Sequence, residues 1–506
     1  MDILDSVQKL DKTASTLLKE SVSDRFGQVS PSLYESARLV SAAPWLTGHQ
    51  ARIRFLLDRQ HAGGHWGSEG AYQVIPTLSA TEALLNVLRR DQPVGHRERV
   101  RAAAERGLLA LTAWFSTGAA ITLPDTVAVE LLVPALVAGI NDHLGARRRL
   151  VLPRNLDQEP LARLRHLART GRPLPEKLWH SLEAVGPAIQ GAPWVRPAHG
   201  AVGCSPAATA AWLGDRTPSP RGQASVQYLT DVQQDGGAVP VGAPVDLFER
   251  AWVVSALAAA EVPLQPPPGL VDGLHAAFGA AGASVGAGLL PDVDDTAAAL
   301  YALALCGSPH RPDSLWAYRV DGHFATFPAE RTASTTANAH VLQALGATGD
   351  HSELFSTAIR ELTHWLHEQQ HTEGCWTDKW HASPFYATAC CVAALAEVDP
   401  AASRTAIAKA ATWVLANQRP DGSWGRFQGT YEETAYAVQI LTRSDNVHIG
   451  HPARRGCRFL TGWGAQEHPP LWHDKDLYTP VRVVRAAGLA ALRLAGSHPR
   501  VLAEPA

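Results

Sequence analysis

The chain has 506 residues, 46% of them apolar, with a formal net charge of −3 and a pI near 6.7. That length is too great for one ordinary domain and predicts two or three compact units with large cores. The apolar fraction argues against extensive disorder, and the balanced charge argues against nucleic acid as a partner. The densest basic run, Arg147-Arg148-Arg149, reads as a solvated helix end.

Six cysteines are present, Cys204, Cys306, Cys375, Cys390, Cys391 and Cys457, and none forms a Cys-x-x-Cys pair that would suggest structural zinc. Met1-Asp2-Ile3-Leu4-Asp5 has acids where a secretory leader has bases. No apolar run reaches the roughly 20 residues that span a bilayer. A reducing, cytoplasmic setting is the expectation.

In chain order, the first distinctive element is a turn with Gln60, Gly64 and Trp66, followed by a small-residue helix aligned on Ser79-Ala80-Thr81. Leu150-Val151-Leu152 is too short and isolated to predict a strand. Gln233, Gly237 and Val239 form a worn copy of the turn. Pro263 to Pro268 reads as a domain junction, and Gly279 to Gly288 as a loop. The next helix opens Asp292-Val293-Asp294-Asp295-Thr296 and continues through Ala297 to Leu305. Tyr318, Gly322 and Phe324 form a second worn turn, leading to Thr335-Thr336-Ala337. Full copies return at Gln370, Gly374 and Trp376, before Ala387-Thr388-Ala389, and at Gln418, Gly422 and Trp424, before Glu432-Glu433-Thr434.

The helices after these turns are apolar all round, so they should be buried. An outer helix followed by a buried inner one, repeated, closes into an α/α barrel, with one barrel over about 40–270 and another over the rest. In each turn the glycine permits a left-handed backbone, the tryptophan packs across the repeat, and the glutamine satisfies backbone groups at a helix end. An open helical solenoid that binds protein would show the same repeat.

Asp292, Asp294 and Asp295 begin a buried helix. Acids at a helix N-terminus are commonly caps. Three within four residues, facing an apolar cavity, cannot all ionise, and burial keeps one protonated at neutral pH. Such a group is a general acid, and Asp294 polarised by its neighbours meets the demand of protonating an alkene. Glu432 and Glu433 align with this site, but are expected to be solvent-exposed residues of a capped helix start. A carbocation needs walls without lone pairs, which aromatic faces supply. Candidates are Trp316, Phe324, Trp380, Phe385, Tyr386, Tyr431, Tyr436 and Tyr478. Two lysine-centred segments suit a diphosphate: Trp376-Thr377-Asp378-Lys379-Trp380, and His473-Asp474-Lys475-Asp476-Leu477-Tyr478 ahead of Arg482 and Arg485. Salt bridges from these lysines to the adjacent aspartates would use the same spacing.

Asp292-Val293-Asp294-Asp295-Thr296-Ala297, together with the turns, resembles the class II terpene cyclases, which include squalene-hopene cyclases and labdane-type diterpene cyclases such as copalyl diphosphate synthases. Ser205-Pro206-Ala207-Ala208-Thr209-Ala210, Pro244 to Trp252 and Asp378-Lys379-Trp380 resemble stretches of the plant diterpene enzymes. The resemblance implies an all-α fold of two α/α barrels, the β and γ domains, without a class I α domain and with the active site between the barrels. Residues 1–39 would lend an N-terminal helix, around Leu4 to Glu20, to the β barrel. Residues 40–275 would form the inserted γ barrel, and 276–506 the β barrel with the acid motif.

The implied reaction is cyclisation of geranylgeranyl diphosphate, begun by Asp294 with Asp292 and Asp295 beside it. The diphosphate would be retained, since no Asp-Asp-x-x-Asp motif is present. Lys379 would be a diphosphate ligand. Glu130, in Val129-Glu130-Leu131-Leu132-Val133-Pro134, would be a magnesium-site residue. Trp179-His180-Ser181 keeps a histidine that, in the plant enzymes, helps hold the water removing the last proton, so His180 is a candidate base or water holder. Pro240-Val241-Gly242 has Val241 where the family pattern has asparagine, which leaves copalyl, halimane and clerodane skeletons open. Farnesyl diphosphate and squalene are alternative substrates, and a non-catalytic binding protein is a third reading. A downstream class I terpene synthase or a phosphatase would use the product, and a homodimer is the assembly considered.

Overall fold

Three turns fix how the helices pair. In the computed structural model, which describes residues 3–90, 96–116, 118–145, 149–214 and 222–503, the full turn copies share one hydrogen-bond plan. The amides of Gln60, Gln370 and Gln418 donate to the carbonyls of Gly64, Gly374 and Gly422 in their own turns. The same amides reach Ala103, Ala406 and Pro452 on the next outer helix. Each buried indole N–H of Trp66, Trp376 and Trp424 donates at 2.7 Å to the preceding helix, at Leu56, Leu366 and Val414. Gly64 and Gly374 have φ of +87° and +103°, and a Cβ there would lie 2.6 and 2.5 Å from the carbonyl oxygens of Arg106 and Lys409, so no other residue fits.

The tryptophan backbone N–H groups are taken by threonine hydroxyls one turn inside the inner helices: Thr77, Thr388 and Thr434. Thr77 therefore holds the place expected for Thr81, whose hydroxyl is buried without a partner. In the worn copy, Asn338 does the same for Phe324, in place of Thr336. The Val239 N–H is accepted by Ser36, on the first inner helix of its own barrel, so that ring closes on itself.

The inner helices of the second barrel are Asp246–Ala258, Val293–Leu305, Thr335–Ala347, Pro384–Val398, Tyr431–Thr442 and Val481–Ser497. Each packs on the next, and the last packs on the first. Outside them lie Leu270–Ala276, Glu353–Glu368, Pro400–Ala416 and Gly450–Gly462. The N-terminal helix Ile3–Ser23 packs on Asp246–Ala258 and Val481–Ser497, with Ala14, Leu17 and Leu18 buried in their core. The first barrel closes through Leu33–Ala42, Val74–Arg89, Val129–Asn141, the 3-10 segment Glu176–Val185 and Pro206–Leu213.

Packing moves both expected borders. Leu33–Ala42, expected outside the 40–275 segment, is a wall of the first barrel, and Asp246–Ala258, expected inside it, is a wall of the second. The chain crosses between barrels near Val241 to Val245, not at Pro263 to Pro268, which joins two helices of the second barrel. Of the Arg147-Arg148-Arg149 run, only Arg149 is among the described residues.

Among the described residues, strand is confined to antiparallel pairs of two residues, Pro31–Ser32 with Val239–Pro240, Arg319–Val320 with His323–Phe324, and Trp472–His473 with Leu477–Tyr478. The last is a hairpin whose tip reaches the first barrel. There Asp476 accepts from the Ser32 hydroxyl and the Tyr34 N–H. Among the described residues, no helix is long and apolar enough to cross a membrane.

Candidate active site between the barrels

A cavity of about 670 Å³ opens where the barrels meet, within the size range of small-molecule sites. Asp294, Asp292 and Asp295 lie in one wall. Asp292 is the N-cap of Val293–Leu305 and accepts the Asp295 N–H at 2.9 Å. Capping and chemistry therefore share one residue. Burial, then the Asp294 charge, pushes the Asp292 carboxyl up to about 7. Asp295 is raised further by burial and by both neighbours, so this pair retains a proton at neutral pH.

Asp294 has a partner that the sequence reading missed. His340, on the adjacent inner helix, places Nδ1 2.6 Å from Asp294 Oδ1. Burial disfavours the imidazolium, but the Asp294 carboxylate outweighs it and raises the His340 pKa to about 10. A histidine in the otherwise uncharged Thr335–Ala347 helix was the available signal.

Aromatic faces follow from the acid inward. Trp252 meets His340 edge-on at 5.1 Å and donates its indole N–H to Tyr386 Oη at 2.9 Å. Tyr386 packs against Trp472 at 4.6 Å, and Phe248 sits between Trp252 and Trp472. Trp380 and Tyr478 also line the cavity. Trp472 donates to Glu432 Oε1 at 2.7 Å, behind the wall. Glu432 and Glu433 are thus buried, contrary to expectation: Glu432 orients Trp472, His381 and Tyr436, and Glu433 binds Ser383, Thr430 and the Arg426 N–H.

Four expected substrate contacts are absent from this cavity. Lys475 is fully buried between Glu35 and Glu183, with Ser205 as a further acceptor, so its charge joins the barrels. Arg485 points to Glu20 on the N-terminal helix. Trp316 packs on Phe324 and Phe355, and Tyr431 on Trp463 and His468, both behind the inner helices. Phe324, Phe385 and Tyr436 also belong to the barrel core.

Lys379 does line the cavity, with Nζ held at 2.6 Å by Glu330 and at 2.7 Å by the Thr332 carbonyl. Lys177, Arg331, Asp125 and Glu130 share its wall, and of these only Glu130 was anticipated. Glu130 is half exposed, 3.9 Å from the Arg331 guanidinium. Among the described residues, no group of three or more His, Cys, Asp or Glu is arranged to hold a metal by itself.

His180 lines the cavity, but both ring nitrogens are engaged. Nδ1 donates to the Gly203 carbonyl at 2.7 Å and Nε2 to Asp474 Oδ1 at 2.9 Å. Burial opposes its charge, yet Asp474 raises its pKa on balance. An imidazolium donating from both nitrogens neither accepts a proton nor holds a water through the ring, so the geometry does not suit His180 to either expected role.

Residues 327–447 match the squalene-hopene cyclase C-terminal domain family, a span that begins after the Asp292–Asp295 motif. The chain is 46% identical to an ent-copalyl diphosphate synthase of Streptomyces sp. (strain KO-3988), over 96% of both chains. It is 41% identical to a labda-7,13-dienyl diphosphate synthase of Streptomyces clavuligerus, over 95% of this chain and 92% of that one. The solved ent-copalyl diphosphate synthase from Streptomyces platensis superposes with a TM-score of 0.91 at 45% identity, covering 97% of this chain and all of that one. The acid motif facing an aromatic cavity between two α/α barrels, together with these full-length likenesses, places the chain in the class II diterpene cyclase family.

Proposed function

We propose that the protein cyclises geranylgeranyl diphosphate to a bicyclic, copalyl-type diphosphate, with Asp294 protonating the terminal alkene. The observation that carries this reading is the Asp294–His340 contact at the aromatic wall of the cavity. When Asp294 gives up its proton, the carboxylate formed is met at 2.6 Å by His340, whose imidazolium it favours. That preorganised partner favours the ionised product of proton transfer. The neighbouring Asp292–Asp295 pair, by keeping a proton, adds less negative charge than two carboxylates would.

The folded polyene places its tail against Phe248, Trp252, Tyr386 and Trp472, whose faces stabilise the cation without trapping it. Lys379, Lys177 and Arg331 supply charge for the diphosphate at the other wall. Magnesium arriving with the substrate would supply charge neutralisation for the diphosphate, and would need carboxylates of this wall to hold it. Glu130 and Asp125 are the cavity-lining acids suited to it. The bond to the diphosphate stays intact because the sequence has no Asp-Asp-x-x-Asp motif to drive its metal-assisted ionisation.

The test is incubation of purified protein with geranylgeranyl diphosphate, followed by phosphatase treatment, mass spectrometry and NMR. A bicyclic diterpene alcohol is expected, and Asp294→Asn should yield only geranylgeraniol. Turnover by Asp294→Asn would remove the acid assignment. Cyclisation of farnesyl diphosphate or squalene alone would remove the substrate assignment.

A further inference from the structure

Asp474 stands at the tip of the Trp472–Tyr478 hairpin and lines the cavity, although its charge first suggests a surface residue. It is fixed from several sides. Oδ1 accepts from His180 Nε2 at 2.9 Å and from the Lys475 N–H at 2.6 Å. Its backbone carbonyl accepts from Val127 on the first barrel, and its N–H donates to Asp476. Among the described residues, Oδ2 has no hydrogen-bond donor, so one oxygen of a rigid carboxylate is left for the cavity. The other acids of the wall differ. Glu330 is occupied by Lys379 and the Thr326 N–H, and Glu130 faces the exposed Arg331.

The groups of the Val241, Cys204 and His180 side of Asp474 offer no competing base. Val241 and Gly242 are apolar, the Cys204 thiol donates to the Ala287 carbonyl, and His180 donates from both nitrogens. The Tyr478 phenol, whose pKa is raised by burial and by charges including Asp474 and Asp294, stays neutral and lies within electrostatic reach of both acids. His473 beside it is also engaged at both ring nitrogens, by Tyr72 and the Lys379 carbonyl, so a cation in this part of the cavity meets the fixed Asp474 carboxylate.

Resting on the Asp294-initiated cyclisation above, we propose that Asp474 is the terminal base and that His180 positions it. A C–H bond beside the cationic carbon breaks, its electron pair becomes the new π bond, and the proton passes to Asp474 Oδ2. The carboxylate is neutralised as the cation is discharged, so charge balances. A weak base suffices, because a C–H adjacent to a carbocation is strongly acidic. A fixed oxygen also selects which proton is lost, and hence which alkene forms.

The experiment compares wild type, Asp474→Asn, Asp474→Ser and His180→Gln with geranylgeranyl diphosphate, reading both substrate consumption and product distribution. Folding is checked by circular dichroism, and either folded Asp474 variant decides the outcome. Continued consumption is expected, with loss of the single wild-type alkene in favour of isomeric alkenes or a water-captured alcohol. His180→Gln should shift the same ratio with KM unchanged. The wild-type product alone, at the wild-type rate, would overturn the proposal. So would complete loss of consumption in a folded variant, which would place Asp474 in binding or initiation. Asp294→Asn is the control: if it still consumes substrate, the cyclisation reading fails instead.

Discussion

Asp294 Oδ1 and His340 Nδ1 lie 2.6 Å apart, on neighbouring inner helices of the second barrel. The contact joins the acid to a cation that the apolar surroundings alone would not tolerate. Replacing His340 with phenylalanine keeps the ring volume and removes the charge. The expected result is a fall in kcat of about 100-fold, at the lower end of general-acid contributions, with KM unchanged. Pre-steady-state turnover separates this from slow product release. A variant with wild-type kcat would show that the cation does not strengthen the acid.

The acid pair predicts the pH profile. Asp292 has its pKa raised to about 7, so above that pH it adds a negative charge beside Asp294. Asp294 then releases its proton less readily, and kcat should fall as pH rises through about 7. Asp292→Asn should remove that limb, measured in matched buffers at saturating substrate. The titration belongs to the Asp292–Asp295 pair as a unit. Stability follows the same sign: the folded protein retains a proton that the unfolded chain loses, so this pair lowers stability as pH rises from about 4 to about 7. His340 acts elsewhere. Its raised pKa stabilises the fold fully below about 6.5, and that contribution is lost as pH rises through about 10.

Much of this arrangement was legible in the chain. The Gln/Gly/Trp turns disclosed the helical hairpins because each residue has a local job, and local jobs repeat. The acid motif was visible because three carboxyls at one helix start are hard to reconcile with burial unless a proton is kept. Lys475 and Arg485 misled for the opposite reason. A lysine among aspartates has one appearance in sequence, whether it meets a diphosphate or plugs into Glu35 and Glu183, some 440 and 290 positions away in the chain. Asp246–Ala258 was assigned to the wrong barrel because proline density marks a turn, and nothing in that composition says which ring the turn belongs to. Trp252, His340, Trp472 and Asp474 converge only through closure of the barrels, which no spacing encodes.

The two lysines can be told apart by what they damage. Lys475 is buried, and although burial opposes its charge, Glu183, Glu35 and Asp474 hold it protonated. Lys475→Met leaves those acids uncompensated and should cost about 3–5 kcal/mol of stability, as broken buried ion pairs do. Urea unfolding reads this directly. Lys379→Met should cost less stability, because its pair with Glu330 lies at the cavity surface, and should raise KM as well. A raised KM with full stability in Lys475→Met would return that lysine to the substrate.

Trp472 tests whether the wall does more than enclose the substrate. Its ring contacts Tyr386 at 4.6 Å and Phe248 at 5.4 Å, and its N–H is fixed by Glu432. A desolvated cation over such a face gains about 2 kcal/mol, worth about 30-fold in rate. Trp472→Leu keeps an apolar wall but removes the π face, so kcat should fall by about that factor. Monocyclic products, formed when the first ring cation loses a proton before the second ring closes, should appear in the extract. Glu432→Gln retains a carbonyl oxygen for the indole N–H and should change the products less. If Trp472→Leu instead makes only the wild-type bicycle at the wild-type rate, the ring serves as packing, and stabilisation of the cation falls to Trp252 and Phe248.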